Sequence, residues 1–361
     1  MGDMFDYIRW RGDLSFSEVP FGPVDALIFS SLVYLDFRGV VRENMDHPVP
    51  LAVAATAFSA LTDARDRARL KRDLELLQAA AQAPRFRNTR LGCYRTRLLE
   101  SEQTQFAAMA WQLDDGTAFL SFRGTDNTLI GWKEDFNMSF QSSVPAQREA
   151  AGYTREFADS FPVLLRLGGH SKGGNLAVYA GAKLGPERQK RVLTVYNLDG
   201  PGFTEAMLRD PGYLAMVPKI RTYIPESSII GILLEHEEAL SVIKSRLVGA
   251  LQHEPYSWEI MGGNFVPVEE MSAGSRFVDQ TVKNWIRDMS REDREAFVEA
   301  VYRLISAGGA SRVAQLLHPK TLKGFVKTLA SEPELQKLLG SEMLELFRAA
   351  RETKKAEKTE E

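Results

Sequence analysis

The sequence predicts an α/β fold in which a mostly parallel β-sheet carries antiparallel edge strands and helical additions flank the core at both termini. Three observations lead to this prediction. Strand-like and helix-like segments alternate between residues 163 and 224, an order typical of a parallel sheet covered by helices. Three consecutive strand-like runs precede them, which indicates an antiparallel edge. Both flanks of the chain carry apolar residues at helical spacing.

These patterns set the organisation of the 361-residue chain. Helix candidates lie at 22–37 and 64–82, and an N-cap-like Ser290 opens another helical stretch near the other end. The chain divides into helical N-terminal additions packed on the core at 1–85, an α/β core at 86–270, a helical C-terminal region at 271–352 and a disordered tail at 353–361.

Hydrophobic patterning sets the elements of the core. The run Asp114-Asp115-Gly116 is typical of a hairpin turn and separates the second and third strands. Strands are predicted at 92–98, 105–113, 117–123, 163–167, 191–198 and 219–224, and helices at 146–160 and 175–184.

The composition excludes several classes of protein. Apolar residues make up 44% and charged residues 26%, as in ordinary globular proteins. The net charge of −3 gives no electrostatic footprint for nucleic acid, and no uncharged stretch is long enough to span a membrane. The single cysteine, Cys93, excludes an internal disulfide and a cysteine-based zinc site. With no signal-peptide pattern, these features predict a cytoplasmic protein.

The most informative motif is Gly169-His170-Ser171-Lys172-Gly173, which has the form G-x-S-x-G. An apolar strand precedes it and a helical pattern follows it, so the motif predicts a sharp strand-to-helix turn with an exposed, nucleophilic serine hydroxyl. The alternatives are a glycine-rich turn without chemistry and a phosphate-binding loop. The second is disfavoured because the Gly-Lys-Ser/Thr ending of such loops is missing.

A nucleophile of this kind needs two backbone donors for the oxyanion. One is the N–H of Lys172, the residue after the nucleophile, and the other comes from a loop after an earlier strand. The run Phe119 to Asp126 ends a predicted strand in Gly124 and Thr125, so we expect the N–H of Thr125 to be the second donor. The alternative is a simple β-turn at Gly124.

The base is selected by elimination among five histidines, because it should follow the serine in the chain. His47 and His170 precede Ser171. His236 lies in an acidic stretch that we expect to be solvated, and His318 lies in the helical tail region. The remaining histidine, His253, occupies a loop at the far end of the α/β part, where the base is expected.

Two carboxylates are candidates to orient that histidine. Asp199 ends the predicted strand that comes after the helix following Ser171, and Glu226 ends the next strand. Asp199 is favoured, because its side chain is shorter and its loop Gly200-Pro201-Gly202 is tighter. The alternative for Asp199 is a carboxylate that caps the following turn.

Together these residues resemble the α/β-hydrolases, and most closely the lipase class 3 group. The matching segments are Phe122 to Thr125, Gly169 to Gly174 and His253 to Trp258, within a likeness that covers about 90–265. The resemblance implies an α/β-hydrolase fold and a bacterial branch of the group, of the kind carried as a domain without an assigned function. The run Leu198-Asp199-Gly200-Pro201 also looks like the acid segment of pancreatic-type lipases.

Two departures from the lipases stand out. Lys172 stands where they usually carry leucine, and its ammonium at a helix N-terminus needs a carboxylate or an anionic substrate group unless it is solvated. Glu226-Ser227-Ser228 stands where class 3 lipases place their acid, which keeps Glu226 as the alternative to Asp199.

Two apolar loops are candidates to cover the site, the alternative being that each packs on the core. In the lipases the lid lies in the part of the chain that holds the first loop. The first loop contains Ile130, Trp132 and Phe136, and the second contains Ile229 and Ile230.

Two functional hypotheses follow. The first is a serine hydrolase that cleaves a small-molecule or lipid carboxylic ester through Ser171, His253 and Asp199, with no metal and no organic cofactor. The second is a non-catalytic hydrolase scaffold used for binding or regulation. A complete set of serine, histidine and acid favours the first.

Overall fold

The computed structural model describes residues 1–99, 104–125, 138, 143–228 and 230–271, together with separate positions between 276 and 350. Its centre is an eight-stranded sheet whose strands lie side by side in chain order. The strands are β1 (Val49–Pro50), β2 (Arg90–Leu99), β3 (Thr104–Gln112), β4 (Ala118–Phe122), β5 (Leu165–His170), β6 (Val192–Leu198), β7 (Ile220–Pro225) and β8 (Leu240–Ile243). A separate hairpin joins β9 (Ile260–Met261) and β10 (Asn264–Phe265).

The direction of the strands changes at β4. Strands β1 to β4 pair antiparallel, and strands β4 to β8 pair parallel. The parallel part follows from the helical crossovers between its first strands, since parallel neighbours cannot be joined by a tight turn. The predicted α/β fold, with a mostly parallel sheet and antiparallel edge strands, is confirmed.

Helices precede the sheet in the chain and connect its strands. Their bounds are α1 (Met4–Arg11), α2 (Pro23–Leu32), α3 (Leu51–Ser59), α4 (Lys71–Gln82), α5 (Pro84–Arg87), α6 (Pro145–Ser160), α7 (Lys172–Ala182), α8 (Pro186–Gln189), α9 (Glu205–Leu208) and α10 (Pro211–Met216). Short 3₁₀ turns cover Val217–Lys219, Gly249–His253 and Pro255–Ser257.

Each face of the sheet is covered by a helical layer. On one face, α6 and α7 pack with Phe106, Leu120 and Leu167 in one core cluster. On the other face, α2 and its neighbours pack with Trp111, Phe119 and Tyr196 in a second cluster. Every residue of helix α2 from Val24 to Leu32 is buried, including the polar Asp25, Ser30 and Ser31. The N-terminal helices therefore form one of the two layers that the central strands need.

A buried ion pair between Arg85 and Asp25 joins α5 to α2 within the N-terminal layer. The guanidinium donates from Nε to Oδ1 at 2.8 Å and from Nη2 to Oδ2 at 2.7 Å. Asp25 also accepts a hydrogen bond from the Gly22 N–H and so caps the start of α2.

Some element bounds differ from the predictions. The helix predicted at 64–82 begins only at Lys71, because Asp73 accepts a hydrogen bond from the Leu70 N–H and fixes the helix start there. Strands β1 and β8 and the β9–β10 hairpin have no counterpart among the predicted elements. In the part of the chain that the structure describes, no helix is both long and apolar enough to cross a membrane.

Candidate active site

The strand-to-helix turn after β5 holds Ser171 in a backbone conformation that few side chains adopt. Its φ is 60° and its ψ is −136°, a strained combination that costs on the order of 1–3 kcal/mol. The turn is fixed by two backbone hydrogen bonds, from the Ser171 N–H to the Leu198 oxygen at 2.9 Å and from the Gly174 N–H to the Ser171 oxygen at 2.8 Å. The motif thus lies between a strand and a helix, in the context that a nucleophile elbow requires.

The glycines around Ser171 allow the strand and helix to approach. A Cβ added at Gly169 would lie 2.3 Å from the carbonyl atoms of Gly173, and one added at Gly173 would lie 2.1 Å from the Phe122 oxygen. These are distances to backbone atoms, which cannot move aside as a flexible side chain can. The turn therefore requires glycine at both positions.

His253 and Asp199 contact each other although they are 54 positions apart in the chain. The His253 Nδ1–H donates to Asp199 Oδ2 at 2.7 Å. Because a carboxylate only accepts, this bond leaves Nε2 as the unprotonated nitrogen of the neutral ring. Asp199 is fully buried, whereas the His253 side chain is 27% exposed, so the imidazole lies between a buried acid and solvent.

Asp199 has a second partner that the sequence did not indicate. The Ser228 hydroxyl donates to Asp199 Oδ1 and accepts from the Gly231 N–H at 2.9 Å. By its sequence, the segment Glu226-Ser227-Ser228 is only an alternative source of the acid. In the structure Ser228 hydrogen-bonds to Asp199, the other candidate, which follows β6.

The two carboxylates of the sequence analysis occupy different surroundings. Asp199 follows β6 with a φ of 56°, and its N–H donates to the Tyr223 oxygen at 2.8 Å. Glu226 follows β7, where its N–H donates to the Ile243 oxygen at 3.0 Å. Of the two, Asp199 is the carboxylate that contacts His253.

The loop after β4 lies against the elbow. A Cβ added at Gly124 would lie 2.5 Å from the His170 oxygen and 3.1 Å from the Ser171 Cβ. Thr125 is the next residue and is partly buried. The backbone of the loop therefore passes the serine at close range.

Lys172 begins α7 and is 1% exposed, so its stem and ammonium are buried rather than solvated. Its Nζ donates to the backbone oxygen of Gln105 on β3 at 3.2 Å. The N–H of Lys172 lies in the first turn of α7, at the positive end of the helix.

Most of the candidate substrate-loop residues lie outside the described residues, namely Ile130, Trp132, Phe136 and Ile229. Ile230 is described and half-buried, and its carbonyl accepts from the Leu233 N–H at 3.1 Å. It is next to Gly231, whose N–H donates to Ser228. The second loop therefore adjoins the support of Asp199.

The chain resembles known proteins in its structure and in its family profile. One solved structure that resembles it is a lipase–propeptide complex from Rhizomucor miehei, with 15% sequence identity, a TM-score of 0.35, and coverage of 50% of this chain and 68% of that chain. No curated protein matches the chain. The family profile described as Mbeg1-like matches residues 80–303, which include the whole sheet except β1 and every candidate catalytic residue. The chain therefore belongs to the Mbeg1-like family, a lipase-like family.

Proposed function

We propose that the protein is a serine hydrolase that cleaves a carboxylic ester of a small molecule or lipid. The observation that carries the proposal is the 2.7 Å bond between His253 Nδ1 and Asp199 Oδ2, in a chain that also holds Ser171 at a strained strand-to-helix turn. A nucleophilic serine needs a base that is itself oriented by an acid, and the chain order of Ser171, Asp199 and His253 matches that of this class of elbow.

The reaction proceeds through an acyl-enzyme. Ser171 Oγ attacks the ester carbonyl carbon while His253 Nε2 takes the hydroxyl proton, and the carbonyl oxygen becomes an oxyanion. When the carbon–oxygen bond to the alcohol breaks, His253 returns the proton to the leaving oxygen. Water then attacks the acyl group in the same way, and the carboxylic acid is released.

Charge stabilisation comes from the buried acid and from backbone donors. Asp199 stabilises the imidazolium form of His253 through Nδ1, and the Ser228 hydroxyl keeps the second carboxylate oxygen occupied. The N–H groups of Thr125 and Lys172 receive the oxyanion, and each such donor is worth roughly 2.7–4 kcal/mol in the transition state.

A fluorophosphonate probe tests the proposal directly, because it reacts with activated serines. The full chain should be labelled, Ser171→Ala should not, and Ser59→Ala, which changes an exposed serine on α3, should be labelled as the wild type is. Failure of the correctly folded wild type to react would overturn the proposal and favour a non-catalytic scaffold.

The substrate is defined by a hydrolysis screen with Ser171→Ala as the blank. p-Nitrophenyl esters of increasing acyl length, with matched thioesters and anilides, would be compared by kcat/KM. We expect esters to be cleaved fastest, and a clear preference for thioesters or amides would contradict the ester assignment.

A further inference from the structure

His170, the residue before the nucleophile, contacts the backbone of the base. Its Nε2 lies 2.8 Å from the carbonyl oxygen of His253, and the two imidazole rings lie with centroids 4.6 Å apart at an angle of 34°. The ring of Trp258 packs against His170 in a T-shaped arrangement, with ring centroids 5.9 Å apart. His170 is only 1% exposed, so these contacts are made inside the protein.

The hydrogen-bond partners fix the tautomer of His170. A carbonyl oxygen only accepts, so Nε2 carries the proton that is donated to His253. Burial, and then the neighbouring His253, hold the pKa of His170 well below its usual value, so the ring is neutral at neutral pH. Nδ1 is therefore an acceptor, and the hydroxyl of Tyr34 donates to it at 3.2 Å.

Tyr34 belongs to the N-terminal layer, and a second contact joins this layer to the same loop. The guanidinium of Arg69 lies 4.4 Å above the Tyr34 ring and donates to Glu254 Oε1 at 3.2 Å. Glu254 directly follows His253. The loop is thus held at the His253 carbonyl by His170 and at the next side chain by Arg69.

We propose that His170 is a positioning residue for the reaction. Its Nε2–H holds the His253 backbone in place, and Tyr34 fixes the tautomer of His170. The inference rests on the proposed function, because it assigns His253 as the base. Asp199 fixes the direction of the His253 ring, but a bond to one ring nitrogen does not fix the position of the main chain. The donor on His170 supplies that second anchor. Because His170 stays neutral, it adds no like charge when His253 becomes an imidazolium.

The test compares two substitutions of His170 in the full-length protein. His170→Leu removes the donor, whereas His170→Gln keeps an N–H at a reach similar to that of Nε2. Misplacing a catalytic group by about 1 Å costs on the order of 100-fold in rate, so we expect His170→Leu to lower kcat about 10- to 100-fold with little change in KM. His170→Gln should recover most of that loss.

Tyr34→Phe provides an independent variant that keeps the ring and loses only the hydroxyl. It releases the tautomer of His170 without removing its side chain, so we expect a smaller loss in kcat, about two- to tenfold. Proton NMR gives a readout that a merely structural role would not move, namely the downfield signal of the His253 Nδ1–H. The signal should shift or broaden in His170→Leu and Tyr34→Phe and return in His170→Gln.

The outcomes separate this inference from the proposed function. If the wild type fails to react with the fluorophosphonate probe, both fall together. If the wild type reacts and all three variants keep its kcat and its Nδ1–H signal, only the role of His170 is overturned. The role is overturned as well if activity falls only in step with thermal stability and His170→Gln does not restore it.

Discussion

Arg85 and Asp25 are joined by two parallel hydrogen bonds, and neither side chain has any surface exposed to solvent. The other guanidinium nitrogen of Arg85, Nη1, donates to the backbone oxygens of Leu14, Ser15 and Val19 at 3.0–3.1 Å. Arg85, which lies in α5, therefore joins this helix both to the loop before α2 and to the start of α2.

Asp25→Ala should destabilise the protein strongly. It leaves the Arg85 charge buried without its partner, which typically costs about 3–5 kcal/mol. Urea unfolding checks this, with Glu187→Ala as the matched control, because the Lys190–Glu187 pair is exposed and should contribute less than about 1 kcal/mol. Similar losses in the two variants would mean that burial of the pair does not matter.

Asp199→Asn should remove most of the activity without unfolding the protein. An asparagine amide of the same shape presents an N–H to His253 and favours the tautomer with the proton on Nε2, which cannot accept the serine proton. In the trypsin-like template, the corresponding change lowers kcat about 10⁴-fold. Asp159→Asn, which changes an exposed carboxylate on α6, should keep wild-type kcat. A wild-type rate in Asp199→Asn would exclude this carboxylate from the reaction.

Gly173→Ala and Gly152→Ala should change stability in opposite directions. The new Cβ at position 173 would lie 2.1 Å from the Phe122 oxygen, so it must push the turn at Ser171 away from β4. We expect Gly173→Ala to lower the free energy of unfolding by about 3 kcal/mol or more and to abolish labelling by the fluorophosphonate probe. Gly152 lies inside α6 with nothing within 4 Å of an added Cβ, so alanine should stabilise the helix by about 0.5–1 kcal/mol. Denaturant unfolding of both variants checks the signs.

Glu238 should make the stability of the protein depend on pH in the acid range. Burial favours a higher pKa, but hydrogen bonds from His236, Thr222 and Tyr213 outweigh it and lower the pKa of Glu238 from 4.5 to about 2. Since the pKa is lower in the folded state, the stabilisation is complete above pH 4.5 and is lost as the pH falls through about 2.

The measurement compares Glu238→Gln with the wild type in urea at pH 5 and pH 2. The difference in the free energy of unfolding should shrink by up to about 3 kcal/mol towards the lower pH. Glu237→Gln changes the exposed neighbour and should follow the wild type at both values. A constant difference for Glu238→Gln would contradict the lowered pKa.

One expectation from the sequence, that His236 is solvated, is wrong. His236 lies in an acidic stretch, which predicted a solvated side chain, but the side chain is only 5% exposed and bonds to Glu238 and to the Gly231 oxygen. The run Glu235 to Glu238 gives no local sign of this. The partners Thr222 and Tyr213 come from β7 and α10, and only the tertiary fold brings them to Glu238.

The sheet was predictable to the extent that its strands are continuous apolar runs. Strand β4 is buried at every position, and β5 and β6 carry their apolar residues in runs that are bounded by turn residues. Strand β8 was missed because Leu240 and Ser241 are exposed and the short segment has no clear alternation. The family match agrees with the predicted resemblance at the level of a lipase-like family.

The candidate site was predictable where chemistry requires a residue type at a fixed place in the chain. Ser171, Asp199 and His253 follow such a pattern, and their roles stay predictions until the variants are measured. Ser228, His170 and Tyr34 had no such signal, because their partners lie 29 to 136 positions away. The chemistry of a buried histidine is set by those distant neighbours and not by the residues beside it.

The contacts that hold the His253 loop have a consequence for how the protein acquires its structure. The Arg69–Glu254 pair spans 185 positions, and the hydrogen bond from Tyr256 to Asp73 spans 183. Contacts between residues so far apart in the chain form slowly, because a large loop must close before such a contact can stabilise the fold. The turn at Ser171 depends mainly on neighbouring strands, whereas His253, the proposed base, is fixed only when the two halves of the chain have docked. In a refolding experiment, hydrolytic activity would therefore return later than sheet content and would report complete closure of the chain.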